Sequence, residues 1–128
     1  MKNVAQANPF GDVVSKNNRV TSWMIRLLRT IKSIPKGNEY VYSLKCKLPE
    51  RVMQCYWVTK ANAARVKSDY NRMHFETIKF HQCWENFKFT DAYFVKIVEW
   101  ATKKNIPVFI HVRNQTQIKE LIRFIKNL

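Results

Sequence analysis

Residues 39–48 read EYVYSLKCKL and residues 52–58 read VMQCYWV. In the first segment Tyr40, Tyr42, Leu44, Cys46 and Leu48 alternate with Val41, Ser43, Lys45 and Lys47. Apolar side chains at every second position mark a half-buried strand. The second segment reads as another strand, with Met53, Cys55 and Trp57 on one face. Pro49-Glu50 between them is a turn signal. The pair therefore predicts an antiparallel hairpin. Its open face would carry Lys45, Lys47 and Gln54, with Arg51 at the tip.

Downstream, residues 60–73 read KANAARVKSDYNRM. At about 100° per residue, Ala63, Val66, Tyr70 and Met73 fall on one narrow stripe. Lys60, Asn62, Arg65, Lys67, Ser68, Asn71 and Arg72 cover the remaining arc. Thr59 is the capping residue. Such a helix is either a solvated surface helix or a platform that turns donors outward to phosphates and base edges.

Residues 77–84 alternate again. Ile78, Phe80, Gln82 and Trp84 oppose Lys79, His81 and Cys83, which predicts a third strand. Thr90-Asp91 opens a helix to about Lys104, with Phe94, Ile97, Val98 and Ala101 on its inner face and Tyr93 and Trp100 at the margins. Asn105 and Pro107 stop it. Residues 108–112 form a short continuous apolar run of the fully buried strand type. Asn114 or Thr116 caps a last helix whose core stripe is Ile118, Leu121, Ile122 and Ile125. Phe124 and Leu128 beside that stripe offer a dimer surface.

Upstream, Thr21 or Ser22 caps a helix to about Ser33, with Met24, Leu27, Leu28 and Ile31 on one face. Arg19, Arg26, Arg29 and Lys32 lie away from it. Pro35 and Gly37 end that helix. This row of cations serves equally as a phosphate-binding edge or as the wet side of a core helix. Residues 1–18 show no sustained periodicity and read as a flexible N-terminal arm.

The order is helix, strand, strand, helix, strand, helix, strand, helix. It predicts the α/β class, with α+β as the alternative. Residues 19–128 would form a single domain, one mixed sheet of about four strands with helices packed on it.

The chain has 128 residues, enough for one domain with a real core. Its formal net charge is +14. Residues 1–38 hold seven cations and one acid, residues 39–80 eight and four, and residues 81–128 eight and four. The excess is thus spread along the domain and is no detachable tail. Self-repulsion at this charge costs stability, so a polyanionic partner is expected, and nucleic acid is the first choice. No run of about eighteen apolar residues crosses a membrane, and residues 1–14 lack the apolar centre of a signal peptide. A cytoplasmic protein is expected. Cys46, Cys55 and Cys83 are odd in number and unevenly spaced, which argues against a disulfide framework.

Enzymatic readings depend on which residue types are present. A metal-independent ribonuclease needs a base, an acid and a cation for the phosphate. His74, His81 and His111, with Lys79, supply the types, but nothing in the sequence places them together. A metal-dependent nuclease needs clustered carboxylates, and the nine acids are scattered. Zinc would need Cys46, Cys55, His74, His81 and Cys83 to converge without any C-x-x-C pair. Glycines stand only at positions 11 and 37, which excludes a Gly-rich phosphate loop. No cofactor and no metal are expected. Tyr56, Trp57, Trp84, Phe87 and Phe89 could stack single-stranded bases, yet a chain with so few small residues needs them for its core.

The expectation is a small, non-enzymatic, double-stranded DNA-binding regulator, a repressor in type, acting as a homodimer on a palindrome. Its size and its Lys- and Asn-rich composition suit a phage or mobile element. Asn62, Arg65, Ser68, Asn71 and Arg72 are the expected base readers. Arg26, Arg29, Lys45, Lys47, Arg51, Lys60 and Lys67 are the expected phosphate contacts. A ribonuclease toxin and a basic factor that binds an acidic host protein are the alternatives.

Overall fold

The computed structural model describes residues 3–6 and 34–128, the first four by their backbone pairing. The fold is α/β. Four strands, β1 (Asn3–Gln6), β2 (Val52–Trp57), β3 (Thr77–His81) and β4 (Val108–His111), pair side by side in sequence order. All three pairings are parallel. Five α-helices occur among the described residues: α1 (Ile34–Lys47), α2 (Val66–Met73), α3 (Gln82–Glu85), α4 (Ala92–Lys103) and α5 (Gln115–Lys126). None is long and apolar enough to cross a membrane.

The expected hairpin does not exist. Residues 39–47 belong to α1, and the sheet formed by the described strands is parallel throughout, not mixed. The alternation of Tyr40, Tyr42, Leu44 and Cys46 misleads because α1 buries residues at helical spacing: Tyr40 and Leu44 are only partly buried on one cluster, Tyr42 only partly on the other, and Cys46 is exposed. Gly37, Asn38 and Val41 are its buried positions, and Ile34 and Leu44 pack on the same cluster. That spacing of three and four residues is helical. Pro35 sits in the first turn, where its missing N–H needs no partner. Lys45 and Lys47 in the last turn suit the negative end of the helix dipole. The turn at Pro49-Glu50 is present, but it joins a helix to a strand.

Asn38 locks α1 to the sheet. The described β1 pairing reaches only Gln6 opposite Cys55. One step further along that edge, the Asn38 side chain takes both backbone groups of Trp57. Its Oδ1 accepts the Trp57 N–H at 3.0 Å, and its Nδ2 donates to the Trp57 carbonyl at 3.1 Å. Gln54 Nε2 returns a bond to the Asn38 carbonyl at 3.1 Å. A side-chain amide thus stands where a neighbouring strand would stand, and the buried backbone groups of Trp57 are satisfied.

The main core lies between the sheet and α2, α4 and α5. Tyr56, Val58, Ile78 and Phe80 from the sheet meet Val66, Met73, Phe94, Ile97, Val98 and Ala101. The inner face of α4 is the one the sequence indicates. Its C-terminus is closed by Asn105 in the left-handed conformation, with Ile106 N–H on the Ala101 carbonyl at 2.8 Å and Asn105 N–H on that of Thr102 at 3.1 Å. This paired closure is the Schellman arrangement, and the buried Ile106 packs beneath it.

Three further expectations change. Strand β3 stops at His81, and Gln82–Glu85 turn into α3. Strand β4 is not buried throughout, since Phe109 is 54% exposed on this outer strand. Helix α5 docks by a different face. Leu121 and Phe124 pack on the core, while Ile118, Ile122, Ile125 and Leu128 stand exposed. The expected N-terminal helix, with Arg26 and Arg29, lies outside the described residues, as does most of the expected arm.

Candidate nucleic-acid interface

The stretch 60–73 is less of a helix than its pattern suggests. Residues 60–62 make a turn, Ala63–Arg65 a single 3-10 turn, and only Val66–Met73 are α-helical. The expected apolar stripe holds: Val66 and Met73 are buried, and Ala63 and Tyr70 pack beside them. Thr59 does not cap a helix, since the N-cap residue is Asn62 for the 3-10 turn and Arg65 for α2; it closes the turn before them. Its Oγ1 accepts the Asn62 N–H at 3.2 Å, and Asn62 Oδ1 accepts the Thr59 N–H at 2.8 Å. This reciprocal pair has the logic of a capping box.

That capping role removes Asn62 from the expected readers. Its side chain is buried, and its Nδ2 donates to the Trp57 carbonyl at 2.9 Å. Arg72 is removed as well. It binds both carboxylate oxygens of Glu39, reaches Asp69 Oδ1 at 3.3 Å, and lies over the Tyr42 ring. The bond to Glu39 holds the guanidinium charge in place and raises its pKa further. Asp69 also accepts the Tyr56 hydroxyl at 2.6 Å. Burial, then this bond, push that hydroxyl above the usual phenol range. Arg72 is therefore a bolt between α1 and α2.

Lys45 is the third correction. Its ammonium pairs with Glu76 at 2.8 Å and donates to the His74 carbonyl at 2.6 Å and the Met73 carbonyl at 3.3 Å. It neutralises the C-terminal end of α2 and faces no phosphate. Lys47 and Arg51 are exposed at the α1–β2 connection, on no hairpin.

Five expected contacts of this stretch remain exposed, with Arg65 on the rim of the cleft that Glu39 and Asp69 also line. Lys60, Arg65, Lys67, Ser68 and Asn71 are exposed on the turn and on α2. Lys60, Arg65 and Lys67 make no ion pair among the described residues. The Ser68 hydroxyl donates to the Arg65 carbonyl at 3.0 Å, so Ser68 faces outward as an acceptor. Lys67 and Ser68 neighbour Asn71 at helical spacings of four and three. Helix α2 is roughly 12 Å long at 1.5 Å per residue, close to the major-groove width of about 12 Å.

Two of the three histidines meet, because the parallel register brings them together. His81 and His111 are partners at the carboxyl ends of β3 and β4, their rings 4.2 Å apart. His81 Nδ1 accepts the Trp84 N–H at 3.2 Å, and its ring stacks on Trp57. Lys79 lies on the same sheet face. His74 is elsewhere, at the C-terminal end of α2. A ribonuclease pair flanks the scissile phosphate with base and acid on opposite sides. Rings 4.2 Å apart leave no room for a phosphate between them. His81 is buried against Trp57 and Trp84, while His111 is exposed beside it. Among the described residues no three His, Cys, Asp or Glu side chains converge as a metal site.

Compared with known families, characterised proteins and solved structures, the chain matches none.

Proposed function

We propose that the protein is a basic nucleic-acid-binding protein whose target is double-stranded DNA, and that it acts there as a regulator. The observation that supports this reading is the exposed cations Lys60, Arg65 and Lys67, without an ion pair among the described residues, with Lys67 sharing a face of α2 with Ser68 and Asn71. Glu85 accepts the Lys60 backbone N–H, and Glu39 and Asp69 line the same cleft as Arg65, so the electrostatic support is the net charge of +14 over the whole chain, whose self-repulsion phosphates would relieve. Arg65 and Asn71 can donate to base edges, and Ser68 can accept. The readers thus reduce to Arg65, Ser68 and Asn71. The phosphate contacts are Lys60 and Lys67, with Lys47 and Arg51 at the α1–β2 turn.

The homodimer belongs to this reading, through a surface that keeps Leu128 and loses Phe124, which packs on the core. Ile118, Ile122, Ile125 and Leu128 are 43%, 46%, 54% and 59% exposed. The three isoleucines recur every three or four residues along α5 and Leu128 follows past its end, the seam by which two helices pair. Two copies joined there would present two patches to two half-sites.

The test is binding of labelled duplex DNA, single-stranded DNA and RNA across a salt series, with every lane checked for cleavage. Preferred duplex binding is expected, with log K falling linearly in log salt and all strands intact. RNA cleavage that disappears in His111→Ala while binding persists would replace this reading with the ribonuclease. Absence of all three affinities at about 150 mM salt would replace it with an acidic protein partner.

A further inference from the structure

A cleft of about 620 Å³ opens where the chain leaves β3 and enters α3, with α5 on its other side. This is the carboxyl end of the parallel strands, the end at which open α/β sheets hold ligands. The volume lies within the usual range for small-molecule sites, roughly 300–1,000 Å³. Phe87, Phe89 and Phe124 line it. Gln82 lines it too, and is only 2% exposed. Its Nε2 donates to the Phe87 carbonyl at 2.9 Å, which fixes the amide's orientation. Its Oε1 is buried and has no hydrogen-bond partner among the described residues. Tyr40 Oη, Gln54 Oε1 and Trp57 Nε1 share that condition among the described residues, and a buried acceptor left unmet is costly unless a ligand or a water meets it.

We propose that this cleft binds a nucleobase through an exocyclic amine. The amine N–H would meet Gln82 Oε1. The flat ring would lie against Phe124, the partly exposed phenylalanine, with the buried Phe87 and Phe89 behind. A phosphate on the same nucleotide would reach the exposed Lys88 and Arg123; of the described residues that line the cleft, Glu120 is the one acid. A hydrocarbon would leave Oε1 unmet, and a bare anion would gain nothing from the aromatic wall. A base paired within a duplex is excluded, because its faces are stacked and its amine is engaged. The ligand is therefore a free nucleotide or an unstacked base of a single strand. This site stands on its own chemistry, apart from the α2 patch, and does not depend on duplex binding.

The experiment is an NMR titration of the full chain with adenosine monophosphate and, in parallel, purine riboside monophosphate, which lacks only the amine. The expected result is shifts of the Gln82 side-chain amide and of Phe124, with the amine-bearing nucleotide binding about tenfold tighter. Gln82→Leu should abolish that preference, and Arg123→Ala should weaken both nucleotides alike. A short oligo-dA that binds more tightly than the mononucleotide identifies a strand as the source of the base; equal affinity identifies the free nucleotide. Equal affinity of the native chain for the two monophosphates would overturn the proposal, even if Gln82→Leu failed to fold. So would shifts confined to the surface around Lys60 and Asn71, or no saturation by about 10 mM.

Discussion

Asn38→Ala is expected to lower the unfolding free energy by about 3 kcal/mol, a fall of roughly 12 °C in Tm for a domain of this size. The substitution removes two bonds to one strand residue. The Trp57 carbonyl keeps a partner, because Asn62 Nδ2 also donates to it. The Trp57 N–H keeps none among the described residues, and Trp57 is fully buried. An orphaned buried donor costs about 1–3 kcal/mol, and the vacated amide volume adds to it. Asn71→Ala, on the exposed side of α2, should change stability by less than about 0.5 kcal/mol. The double change of Asn38 and Asn62 to alanine should exceed the sum of the singles, because only then does the Trp57 carbonyl lose both donors. Chemical denaturation of these variants measures all of this. A loss below about 1 kcal/mol for Asn38→Ala would show that water can replace the amide, and that the lock is not one.

Asn38 also shows where the sequence is legible. Helix α4 can be read because its inner face is wholly apolar and its stop signal is an asparagine suited to the left-handed cap. Helix α1 cannot. Two of its three buried positions, Gly37 and Asn38, carry no hydrophobic signal, and its tyrosines happen to alternate. With α1 taken for a strand, a parallel sheet cannot be deduced. Asn62 is hidden for a related reason, since a polar residue on a polar arc reads as solvent-facing. The available signal is its position three residues after Thr59, the spacing of a reciprocal cap. The meeting of His81 and His111 depends on strand register, which no local pattern contains. Helix α5 has apolar residues on two adjoining faces, and its periodicity alone does not say which one docks. Gln82 alternates as a strand residue, and only the break of β3 at His81 turns it into the α3 wall of the cleft.

Neutralising Lys60, Arg65 and Lys67 together, each to glutamine, is expected to weaken duplex binding about 100-fold at roughly 0.15 M salt. The figure follows from counterion release. Each phosphate no longer neutralised should flatten the plot of log K against log salt by about 0.9, so three should flatten it by nearly 3. The fold should not change, because all three side chains are exposed and none is in an ion pair among the described residues. Arg72→Gln should behave in the opposite way. Its guanidinium bridges Glu39 and Asp69, so its loss should loosen α1 from α2 and leave the salt slope unchanged. Asn71→Ala separates reading from gripping. It should leave random-sequence affinity and slope as they are, and reduce preference for a selected site by about 1–3 kcal/mol. Titrations of selected and random duplexes at several salt concentrations distinguish the three outcomes. If the triple variant kept its slope, the phosphates would be held elsewhere, and the α2 surface would cease to be the interface. If the slope fell but Asn71→Ala left the preference intact, α2 would grip the backbone without reading it, and the protein would bind duplex by charge and shape alone.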